Sequence, residues 1–163
     1  MEENFRMIAK CFFGFEEILE NELRALGAQD VEKGVRMVSF KGDKGFMYKA
    51  NLSLRTALKV LKPIYSFRAN NEQALYKGIS GVNWSKLLNA NQTFVIDATV
   101  HSTYFNHSEF VSQKCKDAIV DQFRERTGQR PSIDKAFPDL RINIHIDKDQ
   151  VSVALDTSGN SLH

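Results

Sequence analysis

The sequence predicts an α+β protein built from two consecutive units. Three observations carry this. Helical stripes and alternating aliphatic strands follow each other along the whole chain. The chain divides at a short linker near Phe67 to Asn71, with a complete set of strands and helices on each side. Its 163 residues, 42% hydrophobic and 26% charged, suffice for one compact body or two small ones with real cores.

Before the divide the pattern reads β-α-β-α-β. Phe5 to Phe12 is a first strand. Phe15, Ile18, Leu19, Leu23 and Leu26 line one helical face, and Gly27 stops that helix. Val31 to Phe40 is a strand or a strand pair around Gly34. Asp43 can cap a helix through Ala50, because its carboxylate can accept from the free amides of the first turn. Thr56 to Phe67 is a strand in which Pro63, lacking an N–H, suggests an edge or a bulge. This order is that of a small ferredoxin-like unit, residues 1–67.

After the divide, Glu72 to Lys77 reads as helix and Trp84 to Leu88 as a further helical turn. Thr93 to His101 is a strand with Phe94, Ile96, Ala98 and Val100 on one side. His101 to His107 is a polar loop holding Tyr104 and Phe105. A helix follows, with Val111, Cys115, Ala118, Ile119 and Phe123 on one buried stripe and Lys116 and Arg124 off it. Gly128 stops it. The loop from Arg130 to Arg141 is basic and stiffened by Pro131 and Pro138. Leu140, Ile142, Ile144 and Ile146 then alternate with Arg141, Asn143 and His145. Asp147-Lys148-Asp149 is a polar turn into a returning strand with Val151, Val153 and Leu155. The linker is short enough that the two units are expected to pack together.

This order of elements, with these residues, resembles the THUMP domain, an RNA-binding module of tRNA- and rRNA-modifying enzymes. Lys116 to Asp121, Arg130-Pro131, Pro138 to Arg141 and Leu155 to His163 resemble one subfamily in particular, the bacterial 23S rRNA guanine-amine methyltransferases, sometimes labelled adenine-specific methylases. The likeness runs over nearly the whole chain, weakest before Phe67 and strongest after Ser108. It implies an α/β THUMP unit over 68–163 and RNA contact by Lys116, Arg130, Lys135 and Arg141, with Lys114 at a matching basic position and Arg124 on the same helix. It also implies a following S-adenosylmethionine-binding methyltransferase domain. The glycine-rich loop and Asn-Pro-Pro-Tyr motif of such a domain are absent from these residues. The chain is therefore expected to be an N-terminal fragment that binds without catalysing and holds no cofactor itself.

Charge distribution says more than the net +2. Residues 1–32 carry three basic and eight acidic side chains. Residues 33–68 carry nine basic ones, Lys33, Arg36, Lys41, Lys44, Lys49, Arg55, Lys59, Lys62 and Arg68, against Asp43 alone. Residues 69–163 carry ten basic and eleven acidic. The middle block is a secondary basic patch of the kind that attracts phosphate, provided its members share a face rather than solvate the surface separately.

Other features support less. Gly78-Ile-Ser-Gly81 matches the short Gly-x-x-Gly pattern of KH loops but also an ordinary helix-ending turn. Glu16, Glu17, Glu20 and Glu22 suit the start of a helix. His101, His107 and His145 lack metal-ligand spacing. Trp84 suits a core anchor, whereas Tyr104 and Phe105, in a polar loop, are candidates for base stacking. Asp134 and Asp139 are expected to orient the basic loop by accepting from amides or from Arg130 and Arg141. Cys11 and Cys115 read as buried thiols suited to a reducing, cytoplasmic setting. There is no apolar run long enough for a membrane helix and no signal-peptide core.

The expected function is delivery of a folded rRNA segment to a methyltransferase domain of the same protein, which would modify a guanine exocyclic amine. Two alternatives stay open: a tRNA target, and a structural adaptor that orients the catalytic domain or mediates dimerisation with little RNA contact.

Overall fold

The computed structural model describes residues 3–158. Residues 159–163, the end of the Leu155–His163 motif, lie outside the described residues. Contacts divide the chain into one unit up to Pro63 with Asp156–Ser158, and a second over Ile64–Leu155.

The first unit runs β1 (Phe5–Lys10), α1 (Glu16–Leu26), β2 (Gln29–Lys33), β3 (Met37–Gly42), α2 (Lys44–Ser53) and the start of β4 (Lys59–Arg68). Its strands lie in the order β2-β3-β1-β4, all antiparallel. The Val31–Phe40 run is thus a strand pair, split at Gly34–Arg36. Met7, Ala9, Val38, Phe40 and Val60 meet Leu19 and Leu23 of α1 and Met47 and Ala50 of α2, so both helices cover one sheet face. Gly27 ends α1 in the left-handed conformation, and Asp43 caps α2 by accepting from the Phe46 amide at 2.8 Å. The last strand starts later than the sequence suggests. The Glu22 carboxylate takes the Arg55 amide at 2.9 Å, the Thr56 amide at 3.1 Å and the Thr56 hydroxyl, so this stretch is tied to α1 before the ladder begins. Pairing of β4 with β1 spans Lys59 to Leu61 and stops short of Pro63.

The second unit continues with α3 (Glu72–Ser80), a 3-10 turn (Trp84–Lys86), β5 (Thr93–His101), α4 (Ser108–Thr127), β6 (Ser132–Ile133), β7 (Leu140–Asp147) and β8 (Gln150–Asp156). Strand order is β8-β7-β5-β6. β5 pairs parallel with β7, so α4 is the crossover that a parallel pair requires. Ile142, Ile144 and Ile146 of β7 meet Val111, Cys115, Ala118, Ile119 and Phe123 of α4 in one core with Phe94 and Ile96. Trp84 is fully buried and its indole N–H donates to the Ile79 carbonyl at 2.9 Å, an anchor rather than a stacking platform. A Cβ on Gly78 would lie 2.1 Å from the Phe67 ring, which explains that glycine by close packing instead of by a KH-type loop. Both cysteines are free and buried.

Candidate nucleic-acid interface

The loop between α4 and β7 is fastened at several points. The left-handed Gly128 ends α4, and Pro131 is buried. Ser132 and Ile133, expected as loop, form the two-residue β6 alongside Thr93 and Phe94. The Asp134 carboxylate accepts from the amides of Ala136 and Phe137, each at 3.0 Å. The Asp139 carboxylate accepts from the Thr93 amide at 2.9 Å and the Thr93 hydroxyl at 3.2 Å, while the Asp139 amide donates to the Thr93 carbonyl at 2.9 Å. Among the described residues both aspartates are thus spent on amides and a hydroxyl, not on the neighbouring arginines. Among the described residues, Arg130 and Arg141 make only long contacts to backbone carbonyls, with Pro131 at 3.4 Å and Ala136 at 3.5 Å. Lys135 is exposed with no ion pair among the described residues. Between Lys135 and Arg141 stands Phe137, 87% exposed. A rigid loop therefore presents three cations and one aromatic face.

The helix candidates form a separate group. Lys114 is engaged by Glu72 at 2.8 Å, and that hydrogen bond raises its pKa above the usual lysine value. Lys116 is half-buried and Arg124 exposed, neither with an ion pair among the described residues. Arg124 lies in the last turn of α4, where a cation complements the helix dipole. Arg141 alternates with Ile142 and so leaves β7 on the face away from α4. The loop cations and the α4 cations are not one row of residues.

Of the two candidate stacking rings, Tyr104 is 54% exposed. Phe105 is 4% exposed and packs in the core of the second unit, so the expectation of base stacking there is corrected: no ring face is free.

The secondary basic patch also separates. Lys41 and Lys59 alternate with Phe40 and Val60 and so point away from the helices. Lys44 and Lys49 ride on α2, across the sheet, and Lys49 donates to the Leu26 carbonyl at 3.1 Å. Lys62 lies 4.3 Å over the Phe5 ring, and Lys41 is 3.6 Å from Asp30. Arg55 sits in the α2–β4 connection, and Lys33 is opposite Val38. Arg68, in the second unit, holds the Asp149 carboxylate at 2.9 and 3.1 Å. A continuous run of cations is therefore split by strand parity and by individual partners. Two residues outside that run join Lys41 and Lys59 instead. Arg6 is opposite Lys41 and Lys10 is opposite both Lys59 and Met37. They lie in the acidic N-terminal segment, so composition hides them; only non-local pairing brings them in.

Among the described residues no group of three or more His, Cys, Asp or Glu side chains could hold a metal ion, and no helix is long and apolar enough to cross a membrane.

With this geometry in view, residues 69–156 match the family described as THUMP domain, more than half of the chain. The chain belongs to the THUMP family. Residues 6–61 match the RlmL ferredoxin-like domain. A curated relative from Syntrophotalea carbinolica, ribosomal RNA large subunit methyltransferase K/L, is 42% identical over all 163 residues; the THUMP chain spans only 23% of its length. A structure described as a possible methylase from Clostridium difficile 630 superposes with a TM-score of 0.82 at 26% identity, over 99% of this chain and 43% of that one. A 4-thiouridine synthetase solved with RNA and ATP shares the fold alone, with a TM-score of 0.57 at 16% identity, over 96% of this chain and 43% of that one.

Proposed function

We propose that this chain is the RNA-binding, substrate-delivery part of an S-adenosylmethionine-dependent rRNA methyltransferase that acts on a guanine exocyclic amine. The observation that carries the reading is the α4–β7 loop of the THUMP unit. Arg130, Lys135 and Arg141 share that loop with the exposed Phe137, and Asp134 and Asp139 are occupied in holding the backbone. A preformed loop of this kind offers phosphates three positive partners without the cost of ordering its backbone, and offers one unpaired base a ring to stack on. Structured RNA presents few readable base edges in its deep groove, so recognition rests on shape and phosphate geometry. The target base would be unstacked to reach a catalytic centre. That centre and its S-adenosylmethionine belong to the methyltransferase domain of the same protein, the second partner in this reading. The rRNA target is favoured over tRNA by the name of the 42% identical relative. The two free, buried thiols suit a reducing compartment such as the cytoplasm.

The test uses the full-length protein and labelled S-adenosylmethionine, with rRNA and tRNA from cells lacking the enzyme as substrates. Label entering rRNA guanine, and a Lys135→Ala/Phe137→Ala variant that raises KM while leaving kcat, are expected. Label in tRNA only would replace the target. An unchanged KM would remove the loop from substrate delivery.

A further inference from the structure

The first unit carries a second aromatic and basic surface, far in sequence from the α4–β7 loop. Phe12 is 61% and Phe13 71% exposed, side by side in the β1–α1 connection. Exposed neighbouring rings on a small domain are unusual enough to mark an interaction site. They are held in place deliberately. The Glu16 carboxylate accepts from the Gly14 amide at 2.7 Å with one oxygen and from the Arg36 amide at 2.9 Å with the other. The Cys11 amide donates to the Arg36 carbonyl at 3.0 Å. These bonds tie the Phe12–Phe13 connection to the β2–β3 turn, where Arg36 adopts a left-handed backbone with φ +59°. Such a conformation is costly for a residue other than glycine or asparagine. The Arg36 guanidinium lies 6.0 Å from the centre of the Phe13 ring.

Cations stand on both sides of the connection, Lys10 and Lys59 on the sheet face away from the helices and Lys33 on the helix side, opposite Val38. Lys10 ends β1 opposite Lys59. Its pKa is held below the usual lysine value, first by burial, with Lys59 and Arg36 repelling the charge as well. Lys33 acts on Glu16 from the end of β2. Glu16 itself is already occupied by two amides and is held below the usual carboxylate range, the Arg36 amide being the largest cause. Phe12 also meets the Phe15 ring edge-on, with centroids 6.4 Å apart, and both rings stay largely exposed. Cations beside exposed rings suit a polyanion that brings both charge and flat faces.

We propose that Phe12 and Phe13 stack an unpaired base of the RNA while Arg36, with Lys33 on one side of the connection and Lys10 and Lys59 on the other, holds the phosphates flanking it. The inference rests on the RNA-binding reading above and adds a second contact, specific for single-stranded segments. A protein partner, such as another domain of the same enzyme, would use the rings but has no need of cations on both sides of them.

The experiment titrates the chain with two labelled RNAs, a blunt stem-loop and the same stem-loop with a single-stranded tail. The variants are Phe12→Leu/Phe13→Leu, which keeps apolar bulk without a ring, Phe12→Trp/Phe13→Trp, and Lys33→Ala/Arg36→Ala. All four residues are exposed, so unchanged melting curves are expected. The leucine pair should weaken the tailed RNA about ten-fold or more and leave the blunt one unchanged, and the tryptophan pair should restore binding. The Lys33/Arg36 pair should lower the log–log salt slope for the tailed RNA by about 1.4, at about 0.7 per single-strand phosphate contact. If the wild type binds both RNAs but the leucine pair matches it on the tailed one, the rings serve a protein surface and this proposal falls alone. If the wild type binds neither at low salt, the RNA-binding reading falls with it.

Discussion

Asp139 offers the sharpest test of how the basic loop is presented. Its carboxylate ties the start of β7 to the start of β5 through the Thr93 amide at 2.9 Å and hydroxyl at 3.2 Å. Asp139→Ala removes both bonds and leaves the amide of a half-buried residue without that acceptor. Bonds to a charged acceptor contribute about 1.5–3 kcal/mol each, and water can replace part of that at a half-buried site, so the expected loss is about 2–3 kcal/mol. For a chain of this length each kcal/mol moves Tm by about 2–4 °C, giving a fall of about 4–12 °C. Asp139→Asn keeps one oxygen acceptor and should lose about 1 kcal/mol. Thermal and urea unfolding followed by circular dichroism measure the difference. Asp139→Ala should also weaken RNA binding although no cation is lost, because the loop no longer holds its geometry. An Asp139→Ala protein within about 0.5 kcal/mol of wild type would behave as an ordinary surface variant and refute the clamp.

Further expectations concern the core of the second unit. The Tyr76 hydroxyl donates to the Asp121 carboxylate at 2.6 Å, and this bond, with burial, pushes its pKa up to about 12. Its stabilising effect is present below the unfolded tyrosine pKa of about 10 and is lost as pH rises through about 12. Wild type should therefore exceed Tyr76→Phe by about 1–2 kcal/mol at neutral pH, with the gap closing between about pH 10 and 12 in denaturation series. Gly78→Ala would gain about 1 kcal/mol from helix propensity but places a Cβ against the Phe67 ring. Overpacking of that kind costs about 1–3 kcal/mol or more, so net destabilisation in urea is expected, and a stabilised variant would show that Phe67 moves freely. Burial alone pushes the Cys115 thiol up to about 12. It should resist thiol reagents at pH 8 in the native protein and react only as the protein unfolds, which timed labelling with mass spectrometry reads directly.

What the sequence made legible was local. Asp43 as a cap, Gly27 and Gly128 as stops, the α4 stripe and the Leu140–Ile146 alternation each depend on neighbours within a few residues, and the structure reproduces all of them. What stayed hidden required non-local pairing. Arg6 and Lys10 join Lys41 and Lys59 only through the β1–β3 and β1–β4 registers. Arg141 and the α4 cations part company because α4 packs on the Ile142 face. Phe105 and Phe137 are both aromatic residues in polar loops, yet one fills the core and the other stands in solvent. The separation depends on which loop folds back over the sheet, and composition carries no record of that. Phe137 could have been suspected from its place between Lys135 and Arg141; Lys114 could not have been known to be engaged by Glu72 across two helices.

The central claim is that the α4–β7 loop contacts RNA phosphates. The most direct measurement is the affinity of this chain for a stem-loop rRNA across a salt series, beside an Arg130→Ala/Lys135→Ala/Arg141→Ala variant. The account predicts a wild-type log–log slope of roughly −3 to −5, reduced in magnitude by about 2–3 in the variant. A wild-type affinity that ignores salt would contradict it and make the chain a structural adaptor for the catalytic domain.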